Sequence, residues 1–378
     1  MGQALAGISF GVGWALLALA GAGSLYSLVS AVVLWRFFAR ATPLGRAGEA
    51  VTILKPLHGA EPKLRENLAS FRAQDYDGPV EIVCGVASAD DPAVAAVEGA
   101  RLVVDGTRHG ANAKISNLIN MVRSGPLAPV VVLSDSDIVV PPDYLARLTQ
   151  ALAEPGVGAV SCLYSGRGDA GFWSVLAAGW PSYQFLSGAA FAVAFGIATP
   201  CMGSTIAIRR ETLEAIGGFE AFADVLADDH AIGRAVEALG LTVAIPPMLV
   251  VHASDEASLG ALWRHELRWA ATVKGIAPGA YAASVIGFPF ATGLIGALLA
   301  GDGWSIVAAA LAARLAVALA VDRVSGARTM PLWLLPVRDV LSFAVFVASF
   351  FARSVDWRGA RLRMTQGGRI AAESEIPR

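Results

Sequence analysis

From Ile8 to Trp35 the chain reads ISFGVGWALLALAGAGSLYSLVSAVVLW, with no charged residue anywhere in the run. About 20 apolar residues suffice to carry a helix across a bilayer, so a membrane-spanning helix is expected over residues 8–35. No Lys or Arg precedes the run and it is longer than the apolar core of a signal peptide, so cleavage is not expected. Arg36, Arg40 and Arg46 follow it. By the positive-inside bias the N-terminus then lies outside and the next stretch of chain in the cytoplasm. Composition agrees: 55% of residues are hydrophobic and 16% charged, against about 25% charged in a soluble domain. With 29 basic and 31 acidic residues, nothing in the balance points to nucleic acid. Cys84, Cys162 and Cys201 are an odd set without CxxC spacing, which fits buried thiols in a reducing compartment rather than disulfides or zinc.

Residues 48–275 alternate strand-like and helix-like segments. AVTILKPL is a short β-branched run, and EPKLRENLASFRAQ places Leu64, Leu68 and Phe71 at helical spacing. PVEIVCGVAS, ARLVVDG and APVVVLSDSD read as strands; DPAVAAVEGA and NAKISNLINMVRS read as helices. Continuously apolar strands separated by helices predict an α/β domain built on a parallel sheet with both faces covered. In such sheets ligands gather at the carboxyl ends of the strands.

Asp135 and Asp137 stand where the VVVL strand ends. Residues i and i+2 of a strand point to one side, so both carboxylates can face one crevice. Adjacent anions repel unless a cation lies between them, and an oxygen-only pair suits Mg2+ or Mn2+ shared with substrate phosphates. The alternative is a solvated loop or a helix cap. Asp90 and Asp91 follow the VEIVCGV strand, and Asp228 and Asp229 open an apolar-periodic helix, where N-capping is the plain alternative.

Several stretches together resemble a known family. KPLHGAEPKLRENLASFRAQDYDGPVEIVCGVASADDPA, NAKISNLINM, LSDSDIVVPPDYL, CMGSTIAIRRETLEAIGGFEAFADVLADD and HELRWA span Val51 to Ala270. In that order they resemble membrane-bound inverting glycosyltransferases of the GT-A nucleotide-sugar-binding fold, within the ceramide glucosyltransferase group. LHGAEP, HGANAKISNLINM, SDSDI, GSTIAIRRETL and ALWRHELRWA are similar to the bacterial hopanoid-biosynthesis-associated glycosyltransferase, a branch that adds N-acetylglucosamine to a polyhydroxylated hopanoid. The resemblance implies that Asp91 meets the uracil of a UDP-sugar, that Asp135 and Asp137 bind the metal holding the diphosphate, and that Asp229 is the general base. It further implies that Arg268 meets the leaving diphosphate and that Trp269 packs by the acceptor. The motif's first position, Gln or Arg in the family, is His265 here, which leaves the role of His265 open. Lys114 is a further cation expected near the nucleotide, the alternative being a solvated helix face.

Between Asp169 and Arg209 no residue is charged, and Phe172, Trp173, Trp180, Tyr183 and Phe185 crowd the interval. A single crossing there would put Asp135 and Asp229 on opposite sides of the membrane. Residues 170–200 are therefore expected to lie in the interface, broken near Pro181, and to guide a lipid acceptor to the site. Residues 284–352 hold further apolar segments: Ser284 to Ala300 and Trp304 to Val321 as a hairpin around GDG, then Pro331 to Phe351. A basic tail, residues 353–378, demands the cytoplasmic side, so one segment does not cross; the stretch carrying Arg338 and Asp339 is the one expected to be re-entrant or interfacial. The final RIAAESEIPR reads as disordered.

The combined expectation is a multi-pass protein of the inner membrane whose catalytic domain faces the cytoplasm. Its partners would be the bilayer, a UDP-sugar and a lipid acceptor, hopanoid or ceramide. A transporter or scaffold would leave the acidic clusters unexplained, and a polysaccharide synthase needs a longer helix bundle. A polyprenyl-phosphate sugar transferase, whose acceptor needs no base, is separated from the main reading by Asp229.

Overall fold

The computed structural model describes residues 2–40, 48–352, 355–357, 360–364 and 370–372. Strands follow in the order β1 (Val51–Pro56), β2 (Val80–Val86), β3 (Arg101–Val104), β4 (Val130–Leu133), β5 (Ile138–Val139), β6 (Val157–Ser161), β7 (Leu163–Gly168), β8 (Ile206–Arg209), β9 (Thr242–Ala244) and β10 (Leu249–Ser254). Before and between them run helices α1 (Gly2–Phe38), α2 (Leu64–Arg72), α3 (Ala113–Arg123), α4 (Tyr144–Leu152), α5 (Phe172–Trp180), α6 (Leu186–Ala194), α7 (Arg210–Ala215) and α8 (Asp228–Ala238). After β10 come α9 (Leu259–Ile276), α10 (Pro278–Ala283), α11 (Pro289–Ala300), α12 (Trp304–Ser325) and α13 (Leu335–Ser349).

The main sheet has the order β3-β2-β1-β4-β8-β6-β9. Its β3-β2-β1-β4 half is parallel, so β1, β2 and β4 end at one edge. Alternation along β1 sends Ile53 to one face with Phe71, Leu145 and Leu148. Leu54 goes to the other with Ile115, Leu118 and Ile232. Each such buried side chain contributes about 1.5–3 kcal/mol relative to exposure. A second sheet, β5-β10-β7, packs beyond it.

Three expectations need correction. The sheet is mixed: β8 runs antiparallel to both β4 and β6, because the chain enters β8 from the apolar insert in the reverse direction. DPAVAAVEGA forms only a 3-10 turn, Pro92–Ala96, capped by the Asp91 carboxylate; Val97 beyond it is already extended, so no longer helix propagates. The insert is not broken at Pro181. A π-helical turn, Pro181–Phe185, joins α5 to α6, and the wider turn accommodates the proline that would break an α-helix.

The apolar helices form their own layer. Among the described residues, Ser9–Phe38, Trp304–Ser325 and Leu332–Ser349 are long and apolar enough to cross a membrane. Pro278–Gly287 and Pro289–Ala300 form a pair bent by 71°. Backbones approach where glycines allow it: a Cβ on Gly13 would sit 2.7 Å from Ala300 N, and one on Gly23 would sit 2.4 Å from Ile286 O. These contacts set α11 antiparallel to α1, the close packing that small residues permit in membranes. α12 then returns alongside α1, with Val307 near Gly293 and Val317 clustered with Leu34. α13 lies against α9, where Lys274 donates to the Ser349 carbonyl and Arg338 meets Glu266. The tail folds into antiparallel strands β11 (Val355–Trp357), β12 (Ala360–Met364) and β13 (Ile370–Ala372). Within the expected disordered end, Ile370–Ala372 is thus a strand; Arg369 and residues 373–378, like Arg46, lie outside the described residues.

Candidate active site

The carboxyl edge of the parallel strands gathers the site. β4 ends at Leu133, and Asp135 and Asp137 occupy the turn that leads into β5 rather than the strand itself. The two carboxylates take different cationic neighbours. Asp135 Oδ1 lies 2.7 Å from Lys114 Nζ, at the first turn of α3. Asp137 Oδ2 lies 3.2 Å from His252 Nε2, near the end of β10.

Lys114 also reaches Asp228 Oδ2 at 3.3 Å, and its side chain is 15% exposed, so it is a bridge between acids and not a solvated helix face. Burial opposes its charge, but Asp135 and Asp228 hold it protonated and raise its pKa. Asp228 starts α8 without capping it; its carboxylate turns instead to Lys114 and to Asn112 Nδ2, 3.4 Å away. Asp229 Oδ2 accepts the Gly203 amide at 2.9 Å, and its Oδ1 accepts the His230 amide. Gly203 is where the groups meet: a Cβ there would lie 3.1 Å from both Asp135 Oδ2 and Lys114 Nζ and 3.6 Å from Asp229 Oδ2. Asp135, Lys114 and Asp229 thus converge on Gly203, where a side chain would press on Asp135 and Lys114.

Asp91 sits at the end of β2, at the same edge. Its Oδ1 accepts the amides of Gly59 and Ala93, each at 2.9 Å, and its Oδ2 is 3.4 Å from His58 Nδ1. On α9, His265 and Trp269 stand one turn apart with ring centroids 4.2 Å apart, and Arg268 is between them in sequence. The Trp269 ring also meets His252 at 5.5 Å and Trp180 of the insert at 5.1 Å. An aromatic chain therefore runs from the apolar insert to the histidine beside Asp137.

Sequence reasoning passed over several residues here. Lys55 is fully buried at the end of β1, with Nζ 3.8 Å over the Phe71 ring, donating to the Asp135 carbonyl and 3.4 Å from Ser134 Oγ. Burial lowers it to about 8, against the pull of Asp137 and Asp135. A lysine inside an apolar strand was the available signal, since a buried amine needs acids nearby. His252 lies within LVVHAS, two residues before the end of β10. Burial disfavours its charge, but Asp137 draws it up to about 9, and in return His252 and Lys55 overcome burial to hold Asp137 at about 2. Glu256, 5% exposed, is hydrogen-bonded to His265 Nδ1, which gives the residue at the departing motif position a partner. Glu61 accepts Ser136 Oγ at 2.6 Å, and burial followed by Asp137 raises it to about 7.

Glu61, Asn67, Asp137, Asp169, His252 and His265 line a small cavity of about 40 Å³. Asp137 Oδ1 and His252 Nδ1 are buried in it without a hydrogen-bond partner. Among the described residues no three His, Cys, Asp or Glu side chains are grouped to hold a metal unaided. Asp137 keeps one oxygen uncommitted, the kind of donor that a hard cation takes together with phosphate oxygens.

A family model described as glycosyl transferase family 21 matches residues 15–370. The chain is 28% identical over 233 residues to ceramide glucosyltransferase 3 of Caenorhabditis elegans, covering 58% of this chain and 49% of that protein. It is 24% identical over 234 residues to ceramide glucosyltransferase 1 of the same organism, covering 58% and 48%. The chain thus spans about half the length of the curated relatives it matches. Among solved structures it is similar to the mannosyltransferase PcManGT from Pyrobaculum calidifontis in complex with GDP-Man and Mn2+. That match has TM-score 0.52 and 23% identity, and covers 90% of this chain and 99% of the other. The fold is that of a GT-A-like glycosyltransferase with apolar helices attached. With a family model running over nearly the whole of its length, the chain belongs to glycosyl transferase family 21.

Proposed function

We propose that the protein transfers a sugar from a UDP-sugar to a hydroxyl of a membrane lipid, with inversion at the anomeric carbon. The convergence of Asp135, Lys114 and Asp229 on Gly203, beside the Asp137–His252 pair, carries this reading. It puts a cation-binding acid, a fixed cation and a second carboxylate within one small volume. In this reading Asp91 receives the uracil, and Asp135 and Asp137 would hold Mg2+ or Mn2+. When bound, the ion would neutralise charge building on the departing diphosphate. Lys114 and Arg268 supply fixed positive charge for the same purpose. Asp229, its Oδ2 oriented by the Gly203 amide, takes the proton of the acceptor hydroxyl. The hydroxyl oxygen bonds to the anomeric carbon as the bond to the diphosphate breaks, so one displacement inverts the centre and releases UDP. Trp269 with Trp180 borders the acceptor.

The favoured acceptor is a bacteriohopanepolyol and the favoured sugar N-acetylglucosamine, on the motif resemblance. A second reading, ceramide glucosylation from UDP-glucose, is favoured by the ceramide glucosyltransferases among its relatives. Purified protein in detergent, given Mg2+ or Mn2+, a panel of UDP-sugars and hopanoid or ceramide extracts, should yield a glycolipid identifiable by mass spectrometry. The mass of sugar and lipid decides between the readings, and no glycolipid from any pairing removes both. Asp229→Asn should lower kcat about 10²- to 10⁴-fold, the usual value of a general base. An unaffected variant would favour a phosphate acceptor instead.

For membrane placement, we infer that α1, the bent segment 278–300 and α12 cross the inner membrane, while α13 lies at the interface beside the charged helix α9. Three crossings then return the tail to the cytoplasmic side, as its arginines require. Asp302→Cys, in the loop between α11 and α12, should react with a membrane-impermeant maleimide added from outside; protection there would overturn the count.

A further inference from the structure

Arg338 is 1% exposed on α13, beside Asp339, and its guanidinium is committed in several directions. One Nη2 donates to Glu266 Oε2 on α9; that Nη2 and Nε both reach Ser342 Oγ, at 2.9 and 3.1 Å. Nη1 donates to the Leu176 carbonyl on α5 at 3.2 Å. Glu266 is three residues before Trp269, and Leu176 is four before Trp180, so the two anchor points lie one helical turn from the two indoles that meet at 5.1 Å. The fold makes room for this link: a Cβ on Gly179, next to Trp180, would lie 3.2 Å from Arg338 Cδ and Cγ. The neighbouring pair, Arg314 with Asp339, fastens α12 to α13 and reaches the Tyr183 carbonyl, but touches neither α9 nor its motif in these contacts.

We propose that Arg338 is a positioning residue: by joining Glu266 to the Leu176 carbonyl it sets Trp269 against Trp180 and holds the acceptor end of the site in register. The inference rests on the glycosyl-transfer reading for its effect on rate, though not for its effect on geometry. A planar guanidinium serves this purpose where an ammonium does not, because its fixed fork addresses two helices at once. Breaking one partner alone would leave a buried charge and unfold the protein, which decides nothing. The informative variant removes both charges, Glu266→Gln with Arg338→Met.

In the full-length protein in detergent, this double variant should keep its thermal midpoint near that of the wild type. It should lose about 10- to 100-fold in kcat with the lipid acceptor, as misplacing a group by about 1 Å does. The KM for the UDP-sugar should change less than that for the lipid, since of the donor-side residues Arg268 stands on α9 while Asp91, Lys114, Asp135 and Asp137 do not. Wild-type kcat in the double variant would overturn the proposal and leave the pair a structural fastening. A second measurement needs no activity. Trp180→Cys with Trp269→Cys, the three native cysteines being buried, should be joined efficiently by a short bismaleimide while Arg338 and Glu266 are present. The yield should fall about tenfold when both are neutralised, if about 1.4 kcal/mol of coupling is lost. An unchanged yield overturns the proposal whatever the enzyme's reaction. A wild-type protein that transfers no sugar refutes the functional reading and leaves the cross-link to decide this one.

Discussion

The apolar helices and the sheet edge both bury charge, and they balance it differently. In the helical layer acids and bases match one to one: Arg314 Nε lies 2.8 Å from Asp339 Oδ2, and Arg338 holds Glu266. At the sheet edge Asp135, Asp137, Asp228, Asp229 and Glu61 share Lys55, Lys114, His252 and His265, the last already paired with Glu256. Matched pairs satisfy themselves and fasten helices. A surplus of acid is costly in the absence of a further cation, which is why the second arrangement reads as a site and the first as scaffolding.

Four measurements bear on that contrast. Replacing both Asp135 and Asp137 by alanine should lower turnover by at least about 10³-fold, the several kcal/mol that a metal clamp supplies, while the protein still folds. Retained turnover would remove the metal from the reading. In the helical layer, Arg314→Ala should cost about 3–5 kcal/mol of stability, because it strands Asp339, whereas Arg314→Met with Asp339→Leu should be near neutral. Thermal unfolding in detergent separates the two, and a destabilised double variant would show that the pair does more than neutralise itself.

Glu61 tests the acid surplus directly. Burial and then Asp137 lift it from 4.5 to about 7, so the protonated form is favoured in the folded state. Its stability contribution is complete below pH about 4.5 and is lost as the pH rises through about 7. With divalent ions chelated, Glu61→Gln should gain up to about 3 kcal/mol over the wild type at pH about 8 and nothing at pH about 4.5. A pH-independent difference would mean that Glu61 is not under this strain. The smallest effect is expected at the boundary between the regions. Trp180→Ala should raise the KM for lipid about tenfold with the KM for UDP-sugar unchanged, the value of one well-packed aromatic contact. Equal changes in both would place Trp180 on the donor side.

Much of the site was legible because strand ends announce themselves. VVVL running into Asp135 and Asp137, and VEIVCGV into Asp90 and Asp91, marked the sheet edge before any coordinates did. The lone His252 and Lys55 carried weaker signals, each a single polar residue in an apolar run, and gained meaning only from Asp137 and Asp135 across the sheet. The helix expected over DPAVAAVEGA failed for a local reason, since Asp91 caps a turn that Val97 then ends. The path through Pro181 went the other way: proline predicts a break, yet packing of α6 on α1, with Tyr26 and Phe191 at 5.0 Å, keeps the segment helical through a π turn.

Hydrophobic period and the placing of charge thus sufficed, from the sequence, for the long apolar N-terminal helix, the α/β class and the acids at the strand ends, since these are properties of consecutive residues. Which acid pairs with which base was a different matter. Lys114 with Asp135 and Asp228, His252 with Asp137, and Arg338 with Glu266 join residues far apart in the chain. Only the tertiary structure decided these, because desolvation acts on the groups that packing brings together and is blind to their order along the chain.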